Sequence, residues 1–276
     1  MFDTRFIQSE IEVGDRLAAL NITGDTSIFD AALSSRIINM RSQIAQVRAG
    51  FQMRQHKSFL SDVLSTKDNV RQMFVEGSYL ARLPNLLLFG SLRLAQGMDA
   101  FGASEKGRNL ATRAEGDPEV LLMQPTLFAN YRSSDNGQIR ATVTGQLASN
   151  TTLSSDLFVI GGYGSIRGFE PAETTGEAGV QFSVEYTHKL WSGNMHGKAV
   201  TASAGTFVDG GHVWNRIDAQ TQDDTLLSVG VGAEVEAALT KFGPTKLRLD
   251  YARTLGDYKS QEVSPNSVYV RLGQTF

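Results

Sequence analysis

Gly161, Gly162 and Gly164 crowd into the stretch GGYGSIRGF (161–169), a glycine density with which a backbone can cradle phosphate. A dinucleotide fingerprint needs G-x-G-x-x-G at the opening of a helix, and here Arg167 occupies the third glycine position. No G-x-x-x-x-G-K-[ST] stands elsewhere in the chain. The flanks, SSDLFVIGG before and GVQFSVEYTHKL after, alternate as strands do. The glycines therefore join two strands as a loop, and no nucleotide cofactor is expected.

The remaining reactive side chains form no catalytic set. His56, His188, His196 and His212 show no H-E-x-x-H or other metal spacing, and cysteine is absent, so neither a thiolate site nor a disulfide framework exists. An outer-surface hydrolase would need a serine and a histidine on neighbouring strand positions, and His188 beside Thr187 offers none. His188 reads as an interfacial residue near a strand end, His212 as a loop residue after Gly211. No catalytic residue, metal or cofactor is assigned, and the chain is not expected to be an enzyme.

What must position such a loop is β structure. Hydrophobic residues make up 41%, charged residues 20%, and glycine numbers 27, a mixture suited to strands and tight turns. A net charge of −3 argues against a nucleic-acid partner. The longest apolar patch, LPNLLLFGSL, is far too short for a membrane helix. MFDTRFIQSEIEVG has no charged n-region followed by an apolar h-region. A location outside the cytoplasm then implies a piece of a longer precursor.

Period-two alternation recurs along the chain. In 225–237, Leu227, Val229, Val231, Ala233 and Val235 share one face while Ser228, Gly230, Gly232, Glu234 and Glu236 share the other. In 245–255, Leu247, Leu249 and Tyr251 stand opposite Lys246, Arg248 and Asp250. Stretches 43–54, 138–148 and 179–190 repeat the pattern, and 3–13, 69–82, 86–98 and 121–132 follow it less cleanly. Segment 15–38 fits weak strands or helical turns. Two architectures make such a pattern, a soluble sandwich or barrel and a transmembrane barrel with apolar exterior and polar lumen. Soluble strands average about 5–6 residues, whereas these run about 10–14 with charges of both signs on the polar face, as a wet lumen tolerates. Short connections such as TKFGP (240–244) also alternate with longer ones such as 256–266. Trp191 and Trp214 fall at strand ends, suiting an interfacial girdle. The expected fold is all-β, a transmembrane antiparallel barrel with about 12–13 strands, its lumen lined by Glu234, Glu236, Lys246, Arg248 and Asp250.

The final stretch SVYVRLGQTF places Val268, Val270, Leu272 and Phe276 on one face, interrupted by Gln274. A terminal aromatic closing an alternating strand resembles the signal that bacterial barrels present to the barrel assembly machinery.

Within that frame GSIRGFEP resembles the [VI]-R-G-[FY] motif on the long sixth extracellular loop of the superfamily that contains BamA and the two-partner secretion transporters, TpsB. Phe207, Asp209 and Gly211 in GTFVDGGHVWN are similar to its F-x-D-x-G strand motif. The resemblance implies that the loop folds into the lumen and that Arg167, with Gly168 and Phe169, meets Asp209. Alternation also places Asp209 on the lumen side, where an arginine's rigid fork of donors suits it. LRLAQGMDAFGAS (92–104) resembles an L-D-A-F-G-A-like stretch of the haemolysin and filamentous-haemagglutinin transporters of the ShlB/FhaC/HecB type. Such transporters have sixteen strands, two POTRA domains and a plug helix. Residues 1–276 would then be the barrel without its first strands, its POTRA domains or a signal peptide. The implied function is passage of an unfolded haemolysin- or filamentous-adhesin-type exoprotein across the bacterial outer membrane, gated by the Arg167 loop, with the exoprotein, the outer-membrane lipid and the barrel assembly machinery as partners. The alternatives are an insertase of the BamA or TamA kind and, with less support, a passive porin. Glu170, Glu173 and Glu177 in the loop fit either passenger contact or simple solvation.

Overall fold

Strict alternation gives each strand one apolar and one polar face, and the fold buries neither against a second sheet. In the computed structural model, described over residues 1–12, 21–216, 224–240, 243–256 and 264–274, the strands are β1 (Phe2–Glu12), β2 (Ile22–Asn39), β3 (Gln43–Leu60), β4 (Val63–Leu83), β5 (Leu86–Gly97), β6 (Leu121–Arg132), β7 (Gly137–Ala148), β8 (Phe158–Ile160), β9 (Thr174–Gly176), β10 (Ala178–Met195), β11 (Lys198–Trp214), β12 (Asp224–Thr240), β13 (Gly243–Thr254) and β14 (Asn266–Gln274). Twelve form one sheet in chain order, β1 to β7 and then β10 to β14, while β8 and β9 pair separately. Every pairing is antiparallel between neighbours in that order, the arrangement that tight hairpin turns permit. Among the described residues the order runs from a β1 edge to a β14 edge.

Side-chain reach shows that the sheet curls. Between β10 and β13 lie three strand spacings, roughly 14 Å along a flat sheet, yet Arg248 Nη2 on β13 donates to Glu185 Oε2 on β10 at 2.8 Å. The concave face carries the charged residues. The convex face presents Leu247, Leu249, Tyr251, Val268, Val270 and Leu272, all exposed large apolar side chains, the polarity of a wall meeting lipid. Trp191 and Trp214 are both half-exposed on this wall, toward opposite ends of the β10–β11 pair.

Several strands run longer than their alternation suggests. β3 has 18 residues and β4 has 21, because this hairpin, paired with β2 as far as Leu60, rises past β5 at the loop end. Within the ambiguous 15–38 segment, 22–38 forms an extended strand, with Asp30 turned inward to an ion pair with Arg48, whereas 15–20 lies outside the described residues. His212 is not in a loop: it lies within β11 and bonds Thr225 at 2.7 Å.

One end of the sheet has short turns, such as Pro84–Asn85 and His196–Gly197. The other carries 98–120, which first runs along the free edge of β4 and then joins the second loop through Arg113, and 149–177, which folds inward. SSDLFVIGG is therefore not a wall strand: it supplies a short 3-10 turn and the three residues of β8. Its apolar residues pack on the loop instead, Ile160, Ile166 and Phe169 forming a buried cluster with Val213 and Leu226.

Candidate functional site

The site is built where segment 149–177 meets the concave wall. Alternation along β11 turns Phe207, Asp209 and Gly211 inward, and all three are buried. In register beside Asp209 stands Ser183 of β10, with Glu185 opposite Phe207. Arg248 and Asp250 reach in from β13, and Ser267 and Tyr269 from β14.

Arg167 enters this group from the loop. Its Nε donates to Asp209 Oδ2 at 2.6 Å and its Nη2 to Asp209 Oδ1 at 2.9 Å, a two-pronged contact, while the Arg167 backbone N–H reaches Oδ2 at 3.2 Å. Nη1 donates to Glu185 Oε2 at 3.0 Å and lies 3.8 Å from Asp250 Oδ1. Ser183 Oγ donates to Asp209 Oδ1 at 2.6 Å. Arg248 binds both oxygens of Glu185 and both of Asp250 at 2.8–2.9 Å. Two guanidinium groups thus share three carboxylates, and Tyr163 Oη adds a donor to Asp250 Oδ2 at 2.9 Å.

Asp209 is fully buried and the Arg167 side chain nearly so. Burial alone would push the Arg167 guanidinium toward neutrality, but the bonds from Asp209 and Glu185 outweigh it and hold its proton affinity above the ordinary arginine value. Burial first, and then the bond to Asp250, raise the Tyr163 phenol above its usual range.

Both glycines of the two motifs have steric reasons. Gly168 sits at φ +98°, a region that disfavours side chains, and its backbone is held on both sides: its N–H donates to Tyr269 Oη at 2.8 Å and its carbonyl accepts from Ser267 Oγ at 3.2 Å. At Gly211 a Cβ would come within 2.9 Å of Ile166 Cδ1 and of the Val180 carbonyl. The loop packs against β11 at the point where β11 lacks a side chain.

A second group ties the loops to each other. Glu177 is fully buried; its Oε1 accepts from Arg113 Nη2 at 2.5 Å and its Oε2 from the Arg216 backbone N–H at 2.9 Å. Arg113 Nη1 also donates to the Thr152 carbonyl at 2.9 Å. Glu177 is thus no solvated loop charge, whereas Glu170 is exposed and its backbone N–H donates to Glu173 Oε2. Arg54 of β3 pairs with Asp156, so the inward loop is held from the far side of the sheet as well.

The expected lumen-lining residues divide in two. Glu234, Glu236 and Lys246 remain partly exposed, Lys246 Nζ lying 2.6 Å from Glu236 and 3.7 Å from Glu234. Arg248 and Asp250 do not line open solvent; they are covered by the loop within the Arg167 cluster. Val268, Val270 and Leu272 share the outer face of β14, and Phe276 lies outside the described residues. Phe169, beside the motif arginine, faces the apolar cluster rather than the charges.

Glu185 stands on the polar face of its strand, yet nothing in sequence distinguished it from Gln181 or Thr187. Arg113, Arg216 and Tyr269 carried no sequence signal at all, since their partners are distant in the chain. MDAFGAS did carry one, and it forms the turn that covers the upper β4 edge, Met98 N–H donating to the Arg71 carbonyl at 2.9 Å.

The family model described as "Haemolysin secretion/activation protein ShlB/FhaC/HecB" matches residues 5–235. The outer membrane transporter CdiB of Dickeya dadantii (strain 3937) is 27% identical over 123 residues, 44% of this chain and 21% of that protein. Among solved structures, CdiB from Escherichia coli superposes with a TM-score of 0.81 at 17% identity, covering 98% of this chain and 49% of that one. CdiB from Acinetobacter baumannii gives 0.68 at 19%, covering 97% and 47%. BamA from Haemophilus ducreyi gives 0.64 at 11%, covering 99% and 59%. The chain spans about half the length of the CdiB structures that it matches, and these likenesses establish the transmembrane β-barrel fold.

Proposed function

Since the chain belongs to the haemolysin secretion/activation protein family ShlB/FhaC/HecB, we propose that it forms the wall of an outer-membrane translocator for an unfolded exoprotein of haemolysin or filamentous-adhesin type. The passenger moves from periplasm to cell surface, and the Arg167 loop gates the path. The observation that carries this reading is the loop's location inside the curled sheet, held by Arg167 on Asp209 at 2.6 Å. A segment seated there blocks the lumen, and one held by polar contacts can be displaced as a unit. Ion pairs suit that role because they lose little when water replaces the partner, unlike a packed apolar plug. Glu234, Glu236 and Lys246 would keep the vacated path wet, and no nucleotide is required, since folding of the passenger outside biases its motion.

The test uses the absence of native cysteine. Ile166→Cys with Gly211→Cys places two thiols where loop and wall touch, and the smaller side chain introduced on the loop relieves the contact with Ile166, leaving that with the Val180 carbonyl. The full-length protein is co-expressed with a candidate exoprotein of the proposed class from the same genome, and exoprotein is measured in the medium. Oxidation should stop secretion and reductant restore it. Secretion that continues with the loop cross-linked overturns gating, and no secretion of the partner by the unmodified protein overturns the translocator itself.

A further inference from the structure

The outer face of the β3–β4 hairpin carries a cation pair that the translocation path does not use. β4 pairs with β5 only from Gln72 onward, while against β3 it continues to Leu60 and Val63. The free upper edge is covered by residues after β5: Ser104 N–H donates to the Asn69 carbonyl at 2.8 Å and Lys67 N–H to the Leu110 carbonyl at 2.7 Å. Covering an edge in this way prevents further strand pairing and leaves a defined outward surface at the loop end.

That surface changes character over a few residues. Inward positions of β3 include Arg48 and Arg54, which bond Asp30 and Asp156, so the odd-numbered residues face outward. Phe51 stands opposite Met73, with the Phe101 ring 5.6 Å from Phe51 and Phe101 itself 74% exposed. Higher up, Gln55 Nε2 donates to Asn69 Oδ1 at 2.8 Å, a polar pair above the aromatic group. Two residues beyond, roughly 7 Å further along the strand, Lys57 stands directly opposite Lys67.

Like charges directly opposed across an antiparallel pair are destabilising, and neither lysine has an ion-pair partner among the described residues. Asp25 is the other cross-strand neighbour of Lys57 and offsets one charge. Arg71, just below, turns its guanidinium to the carbonyls of Phe101 and Arg54 at 3.2 Å and meets no carboxylate among the described residues. An anion from outside the chain would relieve the repulsion, and the pair stands above the Phe51–Met73–Phe101 group, on the side where barrels carry their long loops. We propose that Lys57 and Lys67 bind the phosphate of a phosphorylated glycolipid of the outer leaflet, whose acyl chains lie on Phe51, Met73 and Phe101.

The full-length protein, in an uncharged detergent, is titrated with lipid A, with lipid A stripped of both phosphates, and with phosphatidylglycerol, and bound lipid is counted by native mass spectrometry. Lys57→Gln with Lys67→Gln should weaken lipid A binding about 30-fold, two cations near a membrane surface each contributing roughly a factor of five. Removing the phosphates should do the same, and phosphatidylglycerol should bind more weakly. Arg253→Gln, an exposed outer-wall cation on β13, should leave binding unchanged. In lipid-free detergent the double variant should unfold at or above the wild-type midpoint, because the repulsion is gone. Equal binding by the double variant, by dephosphorylated lipid A or by phosphatidylglycerol overturns the proposal, as does a lowered lipid-free midpoint.

Discussion

The guanidinium carbon of Arg167 lies 3.3 Å from the centroid of the Phe207 ring, while the same group grips Asp209 two residues along the strand. Phenylalanine and aspartate of one β11 face therefore bind one cation, the ring through its π face and the carboxylate through both oxygens. Spacing of two is what a strand requires for that. Water is excluded from one side of the pair by the ring, which strengthens the charge contact beyond its worth in open lumen.

Arg167→Ala should destabilise the folded protein, since it leaves Asp209 buried without its cation. Breaking a fully buried pair costs about 3–5 kcal/mol, less where water reaches the gap. Urea unfolding in detergent micelles measures it. Arg167→Lys should recover only part, as a single ammonium cannot span both Asp209 oxygens and the Phe207 face. A wild-type urea midpoint for Arg167→Ala would show that the contact contributes nothing.

Gly211→Ala should cost about 1–3 kcal/mol, the usual range for inserting a methylene into a packed site. Its Cβ meets the Val180 carbonyl as well as Ile166 at 2.9 Å, and backbone cannot swing aside. Ile166→Ala with Gly211→Ala should cost less than the sum of the singles, because the two groups compete for one space. Additive costs would mean that the loop does not rest on this glycine.

Glu177→Ala should free both loop segments. It strands Arg113 and the Arg216 N–H, at a cost of up to about 3–5 kcal/mol, and the local opening should appear as faster protease cleavage within 98–120 and 149–177. Glu177→Gln retains an acceptor and should be cleaved at an intermediate rate. Unchanged cleavage in both variants would place the restraint elsewhere.

Tyr163 predicts an alkaline dependence of defined sign. Burial and the Asp250 bond raise its phenol, so the folded state holds the proton more tightly than the unfolded. The resulting stability is present in full below the ordinary tyrosine value and is lost as pH rises through the raised one. The difference in unfolding midpoint between wild type and Tyr163→Phe, followed from about pH 8 to 12, should be constant at first and then shrink. A flat difference throughout would mean that the phenol does not titrate with unfolding.

Much of the wall was legible because its periodicity is local. Leu247, Lys246, Leu249 and Arg248 declare their faces by position alone, since a strand turns successive side chains to opposite sides whatever surrounds it. The strand bounds were less legible. β3 and β4 extend past Arg54 and above Asn69 because they support each other and an incoming loop edge, and nothing in the residues themselves marks where a bilayer ends. The apolar run in 157–160 looked like wall for the same reason: alternation records that one face is covered, not what covers it.

Sequence alone determined the strand pattern and the polarity of the two faces, because each depends on residue type and near spacing, while the meeting of Arg167 with Asp209 was implied by the resemblance of their two motifs to a known family. Tertiary structure alone decided that Glu185, Arg248 and Asp250 join that pair, that Glu177 fastens the loops, and that Lys57 faces Lys67. Those contacts arise from the curl of the sheet and the register of its strands. The same curl brings together residues as much as 102 positions apart, as Arg54 and Asp156 are, and no periodicity reaches that far.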